Sequence, residues 1–146
     1  MIKPTLITWI IAIFGAITFL PLLGAQLIMI LKPQSQKAKD LIIGKGKDWR
    51  DKSHFLYSFA FAWADLLVIF PLFISGTIGV FLGQYWGYVL WLILGVVSIY
   101  FSIVFWVLEK QFAYATYGWL AYYTYFWGFF LYWGVGAIVF SILQIA

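Results

Sequence analysis

Asp65 is an acid in the middle of an otherwise apolar run, and an acid in such a place can hold a proton or orient an amine or hydroxyl group. Counted from Phe55, where that run begins, it lies ten residues in, or about 15 Å along a helix axis. Aspartate at the centre of a membrane span costs roughly 2.5–3.5 kcal/mol on insertion scales, so it needs a compensating role. One role is chemical; the other is a protonated acid that joins helices through a neighbour's hydroxyl. Asp51, His54, Ser58, Asp65 and Leu72 recur at steps of three, four, seven and seven and share one helical face. His54, Ser58 and Asp65 therefore form a candidate proton path leading in from one membrane surface. His54 is the sole histidine, and at the edge of a span an imidazole also serves simply as an interfacial side chain. Pro71 lacks a backbone donor and disturbs the carbonyl of Leu67, which predicts a kink close to the acid.

Depth matching selects the side chains that can meet Asp65. Ten residues back from Leu108 lies Ser98, ten forward from Trp119 lies Phe129, and Tyr125 is one turn shallower. On the first run the same count ends near Pro21, with Thr18 below it. Tyr122, Tyr125, Phe129 and Tyr132 follow a three–four–three step along one face. Asp65, Ser98, Tyr125, Phe129 and Tyr132 are thus the candidate ligand-binding set, an acid and hydroxyls beside an aromatic wall. The same stripe also suits plain packing of rings against glycines on facing helices. No catalytic residue is assigned and the cofactor is unknown.

The absence of cysteine excludes disulfides, thiolate nucleophiles, cysteine-held zinc and iron–sulfur clusters. No metal site is expected: Asp48, Asp51, His54 and Glu109 offer oxygen and nitrogen donors, but their spacing fixes no ligand set. Gly44-Lys45-Gly46-Lys47 lacks the spacing of a phosphate-binding loop, and no Gly-x-Ser-x-Gly elbow supports a serine hydrolase.

The elements that must position these residues follow from composition. Hydrophobic residues make up 65% of the chain and charged ones 10%, far from the near-half and quarter of a soluble domain. Four apolar runs, over 5–31, 55–82, 87–108 and 119–143, each exceed the ~18–20 residues that cross a bilayer as helix. They do not alternate, so they are not barrel strands, and backbone in lipid must satisfy its own hydrogen bonds. The expectation is an all-α integral membrane protein, a four-helix transmembrane bundle in one domain over 1–146. The first run is too long for a signal segment and is read as a span. Gly79-x3-Gly83 and Ser98-x3-Ser102 are small-residue pairs that permit close helix approach.

Seven of the nine Lys/Arg lie within 32–54, so topology rather than nucleic acid explains the basic balance. The positive-inside rule makes this loop cytoplasmic and puts both termini outside a bacterial-type plasma membrane. Leu41-Ile42-Ile43 is an apolar stretch suited to dip into the interface. The leading functional expectation is binding of a hydrophobic or amphipathic small molecule within the bundle. The alternatives are a non-catalytic accessory subunit of a larger membrane complex and a small proton-coupled transporter. Expected partners are membrane lipids, a hydrophobic small molecule, and either a second copy or a partner membrane subunit.

Overall fold

A computed structural model describes residues 2–109 and 128–146. Every regular element among them is helical: α1 (Leu6–Leu31), α2 (Gln36–Ile42), α3 (Lys52–Ala64), a π-helical turn (Asp65–Ile69), α4 (Phe70–Phe81), α5 (Tyr85–Glu109) and α6 (Gly128–Ile145). Four stretches, Leu6–Leu31, Lys52–Phe81, Tyr85–Leu108 and Gly128–Ile145, are long and apolar enough to cross a membrane. The fold is therefore all-α with four transmembrane helices, the second of which joins α3, the π turn and α4. The first nine residues of the apolar run beginning at Trp119 lie outside the described residues.

The termini of these helices are chemically marked. Thr5 and Thr8 exchange backbone and side-chain hydrogen bonds at the start of α1, a reciprocal cap for donors that have no intrahelical acceptor. After α4, Gly83 adopts φ +68°, Gly83 N–H donates to Val80 and Gln84 N–H donates to Gly79. This is the paired closure that a left-handed glycine permits at a helix C-terminus, and it turns the chain directly into α5.

The chain divides into two compact units, Met1–Thr18 with Leu72–Ala146, and Phe19–Pro71. In the first, α5 and α6 run antiparallel with their backbones touching. A Cβ on Gly95 would stand 2.8 Å from the Gly134 carbonyl oxygen, and one on Gly134 would stand 2.7 Å from that of Gly95. Lipid offers helices no hydrophobic reason to associate, so close backbone approach at small residues has to supply the contact. Gly79 makes a similar approach, but to Gly87 on α5, while Gly83 serves the turn. Ser98 and Ser102 instead return their hydroxyls to carbonyls of their own helix. Large rings fill the space between these crossings. Trp91 and Trp133 are buried with ring centroids 6.2 Å apart, and each indole N–H finds an acceptor, Thr77 Oγ1 at 3.2 Å and the Ile11 carbonyl at 3.0 Å. In a dry interior those donors must be met by protein.

In the second unit, α1 and α3 are antiparallel, with Gln26 beside Asp65 and Met29 packed with Ala62. In this register Leu31 is level with Ala60, so about two turns of α3 extend past the end of α1. The segment between them is folded and covers that extension. Ser35 caps α2, Ala38 is fully buried with Met29 and Ala62, and Ile42, Trp49, Phe55 and Phe59 pack around them. Leu41, on the other side of α2, remains exposed.

Two acids hold this cap. The Asp40 carboxylate accepts from the Gln36 amide at 2.8 Å and from Gly46 N–H at 3.0 Å, and those bonds draw its pKa below the ordinary 3.8. Asp48 is lowered in the same way by the Lys39 ammonium at 2.6 Å and by Trp49 N–H at 2.7 Å. Because both folded pKa values are depressed, their contribution is complete above pH 3.8 and is lost as pH falls through the folded values. Hydrogen exchange corrected for intrinsic rates should therefore show amides 36–49 losing protection below that pH while the transmembrane helices keep theirs. Uniform protection down to pH 2 would refute the acids' role in the cap.

Candidate functional site

The carboxylate of Asp65 meets the amide of Gln26, whose Nε2 donates to Oδ2 at 2.8 Å. Both side chains are buried, with 7% and 6% of their surface exposed. The partner on the first helix is thus neither Thr18 nor the level of Pro21. Counting inward from the two span ends assumed that those ends are level, whereas α3 begins about two turns beyond α1. Measured from the end of α1, the pair lies five residues in, about 8 Å, shallower than the mid-membrane depth counted from Phe55. Gln26 is the one carboxamide within the first apolar run, and that was the available signal.

The backbone at Asp65 is also unusual. Its N–H is shared between the carbonyls of Ala62 and Phe61, and its own carbonyl accepts from Phe70, five residues on. This wide turn is closed by Phe70, the residue before Pro71, whose ring needs room at the preceding turn and whose nitrogen donates nothing. Phe73 is buried after Asp65, Ile69 and Phe70, whereas Leu72, expected on the Asp65 face, is only half-buried. Single π turns inside α-helices recur at functional sites, and here the turn starts at the acid itself.

The Gln26–Asp65 pair is incomplete. Among the described residues, Gln26 is the acid's side-chain hydrogen-bond partner, and the Gln26 Oε1 is buried with no donor. An amide oxygen beside an ionised carboxylate sets acceptor next to acceptor, and neither supplies the missing donor.

His54 and Ser58 are buried on the same helix. Asp51 caps α3 by accepting from His54 N–H at 2.8 Å, and Arg50 N–H donates to His54 Nδ1 at 3.2 Å. With Nδ1 accepting, the ring hydrogen of a neutral His54 sits on Nε2. The imidazole lies edge-on to Trp49 and tilted over Tyr57, whose hydroxyl accepts from the Arg50 guanidinium. Between Ser58 and Asp65 the same face presents Ala62, packed with Met29 and Ala38. An apolar layer therefore interrupts the stripe from His54 to the acid.

The other expected members fall in the unit that does not contain Asp65. Ser98 is buried with its hydroxyl donating to Leu94 O at 2.7 Å. Phe129 is half-buried and edge-on to Phe14, with ring centroids 5.4 Å apart. Tyr132 is 50% exposed, on the outer side of α6. Tyr125 lies outside the described residues. Compared with known protein families, curated proteins and solved structures, the chain matches none.

Proposed function

We propose that this membrane protein binds a hydrophobic or amphipathic small molecule whose head group donates hydrogen bonds, an amine or a hydroxyl, to Asp65 and Gln26. The carrying observation is the buried Gln26 Oε1 without a donor beside the Asp65 carboxylate. An unmet buried acceptor costs about 1–3 kcal/mol, and a donor head group would offset it. The basic segment faces the cytoplasm in this reading, by the positive-inside rule, and the termini face out.

Hexadecylamine and hexadecane, added separately to the detergent-purified protein, test the head-group requirement by thermal unfolding. The amine should stabilise wild type by about 2.7 kcal/mol at a hundredfold excess over its Kd, and the alkane should not. Asp65→Asn keeps an acceptor for the Gln26 amide, so it should fold normally yet lose most of that gain. Equal stabilisation of both forms would remove the acid from recognition.

A second reading, a subunit within a larger membrane complex, rests on Tyr100. Its side chain is 65% exposed inside the span of α5, where lipid leaves a hydroxyl unmet and a partner helix would not. Stoichiometric co-purification of another polypeptide, lost on Tyr100→Phe, would favour this reading over a bound amphiphile.

A further inference from the structure

The whole net charge of the chain resides in one small piece of it. Residues 32–54 contain seven Lys/Arg and three Asp, 7 − 3 = +4, which equals the net charge of the full chain. The structure also shows how the acids there are used. Asp40 is turned onto Gln36 and Gly46, Asp48 onto Lys39 and Trp49, and Asp51 onto the first turn of α3. Two of the carboxylates are engaged within the cap and the third caps α3. Lys32, Lys37 and Lys52 are exposed, and among the described residues none of them forms an ion pair. Ala38 and Ile42 anchor α2 from beneath, so Lys37 stands on a folded helix, while Lys32 and Lys52 stand at the ends of α1 and α3. On α2 itself Lys37 and Leu41 are one turn apart on the outward side, and Leu41 is 50% exposed. A cation beside an outward leucine on a helix at the end of transmembrane spans has the character of an interfacial element.

We propose that this cap docks anionic lipid headgroups of the leaflet it borders, with Lys32, Lys37 and Lys52 meeting phosphate and Leu41 entering the acyl boundary. Charge complementarity carries the assignment: a surface of unneutralised lysines at the membrane edge faces the phosphates of that leaflet first. It is independent of the reading of Asp65, which lies within the spans and takes a donor rather than an anion.

Native mass spectrometry of the intact protein, titrated with phosphatidylglycerol or phosphatidylcholine, supplies the test. Phosphatidylglycerol should bind at least tenfold more tightly, and the preference should shrink as ionic strength rises. Each lysine near such a surface contributes about 1 kcal/mol, so Lys32→Gln/Lys37→Gln/Lys52→Gln should lose on the order of a hundredfold in phosphatidylglycerol affinity. The matching triple Lys→Arg variant, which keeps the charge, should retain the preference. Equal affinity for the two lipids, or an undiminished preference in the Gln variant, would overturn the proposal.

Discussion

Gly87→Ala should destabilise the protein by about 3 kcal/mol or more, a large loss for the addition of one methyl group. A Cβ at Gly87 would stand 2.2 Å from the Val80 nitrogen and 2.4 Å from the Gly79 carbonyl carbon. Both obstacles are backbone, so no rotamer change relieves them and α4 and α5 must part. Parting them would also disturb the Gly83 turn that joins them, because Gln84 N–H donates to Gly79. Gly24→Ala is the matched control. Nothing lies within 4 Å of its Cβ, and alanine is the better helix former by about 0.5–1 kcal/mol, so that variant should be neutral or slightly stabilised. Denaturation of both variants in one detergent gives the comparison. Equal midpoints for the two would mean that α4 and α5 do not touch at this point.

Gln26→Leu should destabilise the protein by about 2 kcal/mol, and adding Asp65→Leu should restore what was lost. Removing the amide alone leaves a buried acid without its hydrogen-bond partner on α1, which costs more than the hydrogen bond itself contributes. Removing both leaves two apolar side chains that lipid-embedded helices bury without penalty, and leucine inserts more readily than aspartate. The double variant should accordingly match or exceed wild type in stability while losing the amine response. A coupling of about 2 kcal/mol or more across the double-mutant cycle is the expected signature, at the upper end of interhelical hydrogen bonds in membranes. Strictly additive losses would show that the two side chains do not interact.

The four transmembrane helices were readable from the chain alone because the constraint behind them is local. Every backbone donor and acceptor in lipid must be satisfied within its own segment, so run length and composition determine where helices cross. Asp65 stood out for the same reason, since the cost of an acid in an apolar run needs no knowledge of neighbours. Even Pro71 announced a local irregularity, although not that it would take the form of a π turn starting at the acid.

What only the tertiary structure decided was register. Equal counting from the ends placed Asp65 opposite Thr18 and Pro21, but α3 overshoots α1 by about two turns and brings Gln26 to the acid instead. That overshoot exists because α2 and its neighbours fold onto the exposed end of α3, a contact between Ala38, Met29 and Ala62 that no periodicity within one helix encodes. The glycine pairs tell the same story: Gly79-x3-Gly83 looked like one packing motif, yet Gly79 meets Gly87 and Gly83 turns the chain. A side chain's depth is set by its own helix, but its partner is set by how neighbouring helices slide against each other, and that depends on the sum of many weak packing contacts.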